Sequence, residues 1–131
     1  MGIAYEWRGQ FGNGEVEALH AAGFGHEAGA TDWWGRVCGH SLGWVCAREA
    51  GELVGFVNVV WDGGEHAFVL DTVVAPGRQR TGVGAGLVEE AVRRARGAGC
   101  GWLHVDFEER LAPFYLGSCG FTPTAAGLIA L

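Results

Sequence analysis

The hydrophobic pattern of the chain has a helical period in its first third and a strand-like period after it. Residues 14–22 place apolar side chains three and four positions apart, and Asn13 stands where an N-cap is expected. A loop rich in glycine and alanine follows, after which Thr31 or Asp32 can cap a second, short helix. Residues 3–8 form a candidate strand ahead of both helices.

The middle of the chain is predicted to be an antiparallel meander followed by a helix. Its three β-rich runs lie at residues 44–48, 53–61 and 66–74. Glu49-Ala50-Gly51-Glu52 joins the first two runs, and Asp62-Gly63-Gly64 forms a strong turn before the third. Residues 82–96 then return to helical spacing. The remaining predicted elements are a strand, a helix and two short strands, at residues 102–107, 110–118, 121–122 and 127–131. This order predicts an α+β fold, a mixed and mostly antiparallel sheet flanked by helices, in one domain of residues 1–131.

Size and composition are those of a single small domain of 131 residues and 13.9 kDa. The chain has no run of 18 or more apolar residues, so no membrane span is predicted. Its first residues lack a basic stretch followed by an apolar one, so no secretion signal is expected. The four cysteines show no paired spacing and are expected to be reduced thiols, which favours a cytoplasmic protein.

The charge balance is acidic, with a net charge of −6 from 15 acidic residues against nine arginines and no lysine. A nucleic-acid-binding domain would show a basic patch or stripe, so no nucleic acid partner is expected. An acidic surface favours a cationic amine as substrate instead. The use of arginine alone, together with 24 glycines, is typical of a GC-rich bacterial genome.

The segment before helix 82–96 has the pattern of an anion-binding loop. It reads Val73-Val74-Ala75-Pro76-Gly77-Arg78-Gln79-Arg80-Thr81-Gly82-Val83-Gly84, an apolar run, a Pro-Gly break, a basic turn and a helix start. Glycines let the backbone approach a phosphate, and the first N–H groups of a helix have no internal partner. A nucleotide-hydrolysing P-loop would need Lys-Ser or Lys-Thr in place of Val83-Gly84, and a dinucleotide fingerprint would need glycine at Leu87. The loop therefore predicts a phosphorylated cofactor of another class.

Two motifs carry a resemblance to a known family. Gln79-x-x-Gly82-x-Gly84 resembles the loop of the GCN5-related N-acetyltransferases (the GNAT family), which reads Gln/Arg-x-x-Gly-x-Gly/Ala. Phe114-Tyr115 and Gly120-Phe121 are similar to the family's second hallmark, a helix that carries Phe/Leu-Tyr and closes in Gly-Phe. The resemblance covers residues 44–131 well and the preceding residues loosely. The chain departs from the pattern in that Tyr115 lies five residues before Gly120, where four is commoner.

The resemblance implies a GNAT fold that binds acetyl-CoA. Two neighbouring strands would splay apart and admit the pantetheine arm, which would pair with the backbone of Val73, Val74 and Ala75. Amides of the loop and the first helical turn would hold the pyrophosphate, assisted by the helix dipole. The residues implied at this loop are Gln79, Arg80, Thr81, Gly82, Val83, Gly84 and Ala85. From the residues alone, a glycine-rich helix start without ligand and a fully paired inner strand stay open as alternatives.

Two residues are candidates for proton transfer. Tyr115 would be the general acid, because a phenol stays protonated at neutral pH and can donate to a departing thiolate; the alternative is a packed tyrosine. Asp71 would be the general base, directly or through water, or would bind the acceptor's cation; the alternative is a hydrogen-bonded acid at a strand irregularity. Cys38-x-His40 and Cys100 with His104 do not complete a zinc pattern, so no metal site is expected.

The leading hypothesis from the sequence is an acetyl-CoA-dependent N-acetyltransferase that transfers acetyl to a primary amine of a small acceptor. Direct attack is expected, since no Cys or Ser sits in a recognisable nucleophile constellation. One alternative is a non-catalytic acyl-CoA-binding or regulatory module with the same fold, and another is an interaction domain without cofactor. Relatives often dimerise through C-terminal strands, and the apolar residues 127–131 are compatible with a homodimer or with an inner strand.

Overall fold

The computed structural model describes residues 2–131, which form a five-stranded sheet with strands in chain order. The strands are β1 (Ala4–Trp7), β2 (Ser41–Glu49), β3 (Glu52–Trp61), β4 (His66–Val74) and β5 (Trp102–Val105). Strands β1 to β4 pair antiparallel with their neighbours, whereas β5 pairs parallel with β4. The sheet is therefore mixed and mostly antiparallel, which confirms the predicted α+β fold.

Three helices cover the two faces of the sheet. They are α1 (Asn13–Phe24), α2 (Trp33–His40) and α3 (Val83–Gly97). Strand β2 shows how the faces are divided: Val45 and Ala47 belong to the core on the side of α3, whereas Trp44 and Cys46 belong to the core with α1 and α2. No helix in residues 2–131 is long and apolar enough to cross a bilayer.

The capping of the first two helices differs from the prediction at one position. Helix α1 has Gly12 as its N-cap, and Glu15 accepts a hydrogen bond from the Gly12 amide at 2.9 Å. Asn13 is therefore not the cap; its side chain instead bridges to α2, where its Oδ1 accepts from the Trp34 amide at 2.8 Å. Asp32 caps α2 as expected, accepting from the Gly35 amide.

The C-terminal elements depart most from the prediction. Strand β5 ends at Val105, the helix near 110–118 is replaced by a 3-10 turn and a π-helix, and residues 119–131 contain no strand. Pro123 lacks an amide to donate, and residues 127–131 have no partner strand within this chain. Leu128 and Ile129 are accordingly exposed.

Candidate active site

Strands β4 and β5 pair over only part of their length and then diverge. Their parallel pairing ends where Val69 lies opposite Val105. Strand β4 continues to Val74, whereas the chain leaves the sheet after Val105. The backbone of residues 70–74 therefore lacks a strand partner on the β5 side and lines an open wedge. An extended ligand can pair with a free strand edge of this kind.

A bulge in β4 lies beside this wedge. Phe56 of β3 lies opposite Val73, and Asn58 lies opposite Leu70, so β4 carries one residue more than β3 between these pairs. Asp71 is one of the two bulged residues, and its φ of 58° is in the left-handed region, which aspartate tolerates better than most residues. Strained backbone of this kind is common beside active sites. The residue that the sequence indicated as base thus occupies a distorted point of the strand.

The bulge brings Asp71 to a histidine of helix α1. His20 Nε2 lies 3.2 Å from Asp71 Oδ1, and His20 Nδ1 lies 2.7 Å from His26 Nε2. His26 Nδ1 in turn lies 2.7 Å from the carbonyl oxygen of Glu27. The side chains of His20 and Asp71 are 17% and 25% exposed, so the contact is partly buried and water can still reach it. Sequence reasoning missed both histidines, because 51 residues separate His20 from Asp71 and no local pattern joins them.

A buried carboxylate fixes the loop that carries His26. Glu17 is 6% exposed and accepts from the Gly29 amide at 2.7 Å and from Trp33 Nε1 at 2.9 Å. These hydrogen bonds, that of Gly29 first, hold the pKa of Glu17 below its usual value although burial works against them. Glu17 therefore remains an anion and ties residues 25–32 to α1.

A glycine lets α1 approach β4 closely enough for the His20–Asp71 contact. A Cβ on Gly23 would overlap the Cγ2 methyl of Val73. Any larger residue at this position would push α1 away from the strand. The pairing of His20 with Asp71 thus depends on Gly23, which lies one turn further along α1.

The loop between β4 and α3 has the backbone shape of an anion-binding site. Arg80 and Gly82 both have positive φ, 63° and 90°, which turns successive amides toward one side. Gly82 is the N-cap of α3, and the amides of Val83, Gly84 and Ala85 in the first turn have no internal acceptor. These amides and the helix dipole suit a phosphate group. The sequence-predicted loop residues are thus brought together at one helix start.

Two arginines of the loop and a glycine of α3 refine this picture. Arg78 pairs with Glu49 of the β2–β3 hairpin, with Nε 2.5 Å from Oε1, so its charge is already largely balanced. Arg80 has no ion pair among the described residues, which leaves it as the available cation of the loop. A Cβ on Gly84 would lie 3.0 Å from the ring of Phe114, so this glycine also lets the C-terminal segment pack against α3.

Tyr115 lies in the π-helix Pro113–Ser118, which explains its unusual spacing. A π-helix closes i→i+5 hydrogen bonds, and the Cys119 amide donates to the Phe114 carbonyl at 2.9 Å. The wider turn accommodates one extra residue before Gly120, which has a φ of 80°. The departure from the family spacing is therefore absorbed locally, and such bulges are frequent at functional sites.

The environment of Tyr115 keeps its phenol protonated. The side chain is 7% exposed and stacks on Phe107, with ring centroids 4.9 Å apart. Burial raises the pKa of Tyr115 above its usual value of 10, and the neighbouring Thr72 hydroxyl only partly opposes this. The Thr72 oxygen is buried without a hydrogen bond of good geometry among the described residues, so it stands close to the phenol without a firm bond to it. Because Thr72 follows Asp71, the phenol and the bulge meet at the same part of β4.

The comparison with known families agrees with this geometry. The sequence model of the Acetyltransferase (GNAT) family matches residues 7–121. The chain belongs to this family. It is therefore an acyltransferase domain of the GNAT type, and the match includes residues 7–43, where the sequence resemblance was loose.

The chain is similar to one much longer protein in part of its sequence and to solved structures of its own size in fold. Over 62 residues the chain is 37% identical to the mycothiol acetyltransferase of Nocardia farcinica (strain IFM 10152). The aligned segment covers 47% of this chain but only 20% of that protein, so the chain spans a small part of this relative's length. A GNAT-family acetyltransferase from Streptococcus pneumoniae TIGR4 superimposes with a TM-score of 0.80 at 25% identity, covering 98% of this chain and 97% of that one. The structure of AAC(6')-Iy in complex with the bisubstrate analogue CoA-S-monomethyl-acetylneamine superimposes with a TM-score of 0.71 at 16% identity, covering 100% of this chain and 98% of that one.

Asn58 and the cysteines that the sequence analysis tested as metal ligands do not join this site. Asn58 is buried and accepts from the Ser41 hydroxyl at 2.5 Å. Cys38 is exposed, and burial raises the pKa of Cys100. Within residues 2–131, no group of three or more His, Cys, Asp or Glu side chains is arranged to hold a metal ion.

Proposed function

We propose that the chain transfers the acetyl group of acetyl-CoA to a primary amine of a small acceptor. The observation that carries the proposal is the wedge between β4 and β5, which opens after the pair Val69–Val105 and is followed along the chain by the helix start at Gly82. A free strand edge suits the amide groups of a pantetheine arm, and the α3 amides suit a pyrophosphate. The residues proposed for the cofactor are Val73, Val74, Ala75, Gln79, Arg80, Thr81, Gly82, Val83, Gly84 and Ala85.

The proposed chemistry is direct attack of the amine on the thioester. Asp71 takes the proton that an ammonium must lose before it can attack, directly or through one water. Tyr115 gives its phenolic proton to the sulfur as the carbon–sulfur bond breaks, and its raised pKa means that this proton is present throughout the neutral range. None of the four cysteines is needed as a nucleophile: burial raises the pKa of Cys46 to about 12 and that of Cys119 to about 11, which disfavours the thiolate.

The acceptor is proposed to be cationic, because acidic groups lie on its side of the wedge. Asp71 lies at the bulge, and Glu17 lies one turn before His20 on α1. Phe24 is 54% exposed and stacks on the His20 ring, with centroids 4.3 Å apart, so it offers an aromatic surface beside these charges. The complex of AAC(6')-Iy, a neighbour of similar fold, with the bisubstrate analogue CoA-S-monomethyl-acetylneamine supports the same class of acceptor.

A thiol-release assay with a panel of small amines tests this function. With acetyl-CoA, the chain should release free CoA in the presence of at least one cationic primary amine, and mass spectrometry should find that amine heavier by one acetyl group. Binding of acetyl-CoA without thiol release would favour the alternative, a non-catalytic acyl-CoA-binding module. Failure to bind acetyl-CoA would exclude both.

The assembly and compartment are further parts of the proposal. The exposed apolar side chains of Leu128, Ile129 and Leu131 suit an interface between two copies of the chain. All four cysteines are free, as expected of a protein in the reducing cytoplasm. Light scattering of the full chain and of one ending at residue 126 should give a dimer and a monomer respectively.

A further inference from the structure

The histidines beside Asp71 form a continuous hydrogen-bonded chain that the proposed chemistry has not yet used. Three contacts join Asp71, His20, His26 and the Glu27 carbonyl, at 3.2, 2.7 and 2.7 Å. The last of these groups is a backbone carbonyl, which only accepts, so His26 Nδ1 must carry a hydrogen. In the hydrogen bond at the outer end of this series, His26 is therefore always the donor.

The number of protons in this chain follows from its geometry. Three hydrogen bonds need three hydrogens, whereas two neutral imidazoles bring only two. The third hydrogen makes one ring an imidazolium or sits on the Asp71 carboxyl group. If it were absent, two acceptors would face each other at one of the three contacts. The arrangement thus favours the form that holds one extra proton.

The surroundings suit such a proton. Glu17 lies on the same helix as His20 and is an anion, and Asp71 contributes from β4. From α2, Trp33 packs on His20, with ring centroids 4.9 Å apart, and the Arg36 guanidinium lies 4.8 Å from the centroid of the Trp33 ring. From the loop, His26 and Glu27 are exposed. Two carboxylates therefore flank the histidine pair, and its outer member is open to water.

We propose that Asp71, His20 and His26 act as one proton-holding unit that receives the proton lost by the acceptor ammonium. This proposal rests on the function proposed above. Before the step, the unit loses its extra proton to water at the partly exposed Asp71–His20 contact, so that His20 Nε2 faces Asp71 Oδ1 without a hydrogen while both Nδ1 atoms keep theirs. An N–H bond of the ammonium then breaks, its electron pair stays on nitrogen as the attacking lone pair, and the proton passes to Asp71 and on to His20 Nε2. His20 and His26 are positioning residues in this scheme, since only Asp71 meets the acceptor.

A second histidine pair in the same molecule provides an internal control. His66 Nδ1 lies 2.8 Å from His104 Nε2 on the edge of the sheet, a contact that two neutral rings can make without an extra proton. Neither ring has a carboxylate partner among the described residues. This pair therefore needs no extra proton and serves as the comparison for His20 and His26.

NMR spectroscopy of the ring nitrogens counts the protons without any assay of activity. At neutral pH, His20 and His26 together should show three protonated ring nitrogens. If they show two, the carboxyl carbon of Asp71 should have the chemical shift of a protonated acid. His66 and His104 should show two, and His20→Gln and His104→Gln assign the signals. Two protonated nitrogens on His20 and His26 beside an ionised Asp71 would overturn the proposal.

The pH dependence of turnover tests the role of the unit. His20→Gln should lower kcat by about 10-fold, less than the 10²–10⁴-fold of a general base itself, and should shift the acidic limb of kcat/KM. His26→Gln, at an exposed position, should shift the same limb with a smaller loss, and His104→Gln should change neither. Unchanged pH profiles in both His20→Gln and His26→Gln would contradict the proposal. If the wild-type chain acetylates no amine, the proposed function fails, whereas the NMR proton count still decides on the unit.

Discussion

The two proposed functional regions, the bulge of β4 and the helix start that follows the strand, are built by different means. Beyond the end of the strand, the loop and α3 present backbone amides, and the shape of the site depends on the φ angles of Arg80 and Gly82. At the bulge, the site consists of side chains from distant segments, Asp71 from β4 and His20 from α1. One region therefore needs particular backbone conformations and the other needs the correct docking of a helix.

Because the two regions are built differently, we expect the backbone region to bind the cofactor and the side-chain region to carry the chemistry on the acceptor. A backbone site can bind a constant ligand, because its amides recognise phosphate whatever the acceptor is. A side-chain site can be altered by single substitutions, and within the GNAT family it would adapt the reaction to one amine. The variants below test whether binding and chemistry are separable in this way, beginning with the largest expected effect.

Tyr115→Phe should remove the chemistry and leave cofactor binding intact. The ring packing against Phe107 is kept and only the hydroxyl is lost, so kcat should fall by about 10²–10⁴-fold. Steady-state thiol release and acetyl-CoA titration measure the two effects. The chain's other tyrosine, Tyr5, which packs against Gly86 and is also partly buried, gives the control Tyr5→Phe. Equal losses in both variants would contradict a specific role of Tyr115.

Gly84→Glu should remove binding instead. The new side chain meets the Phe114 ring and places a negative charge where the pyrophosphate is expected. Calorimetric titration should find acetyl-CoA affinity reduced by about 100-fold or more, equivalent to about 2.7 kcal/mol. Gly97→Glu, at the opposite end of α3 and with no neighbour within 4 Å, makes the same change of charge away from the site. Wild-type affinity in a folded Gly84→Glu would refute the placement of the cofactor.

Gly23→Ala should damage the side-chain region while the loop stays intact. The added methyl overlaps Val73 and displaces α1, which should cost about 1–3 kcal/mol of stability and lower kcat with little change in the affinity for acetyl-CoA. Denaturant unfolding and kinetics measure both. Gly14→Ala adds the same methyl to the same helix in open space and should be neutral or stabilising by up to about 1 kcal/mol. A kcat unchanged by Gly23→Ala would mean that α1 need not dock closely.

Glu15→Gln should have the smallest effect. The hydrogen bond from Arg48, at 2.9 Å, is the main cause that lowers the pKa of Glu15 to about 2 from its usual 4.5. Since the folded-state pKa is depressed, the stabilisation is complete above about pH 4.5 and is lost as pH falls toward 2. The side chain of Glu15 is 42% exposed, so solvent screening keeps the gain below about 1 kcal/mol at neutral pH. Thermal unfolding at pH 3 and pH 7 should show a smaller difference for the variant than for the wild type.

The sequence could predict the backbone region better than the side-chain region. Gly82 and Gly84 stand in one local motif, and the meander from β2 to β4 follows from alternating apolar runs and strong turns. His20 could not be predicted, because its partner lies 51 residues away and the contact depends on how α1 docks. The π-helix at Tyr115 was missed because an i→i+5 turn has the same local composition as an α-helix. The prediction of C-terminal strands was wrong, because residues 127–131 have apolar side chains but pair with no strand edge within residues 2–131.

The central claim is that the wedge and the helix start together bind acetyl-CoA, and a thermal-shift titration of the wild-type chain tests it most directly. The account predicts a saturable rise in the melting temperature, equivalent to about 2.7 kcal/mol at 100 times the dissociation constant, with acetyl-CoA and with CoA. No shift at millimolar concentrations of either ligand would contradict it.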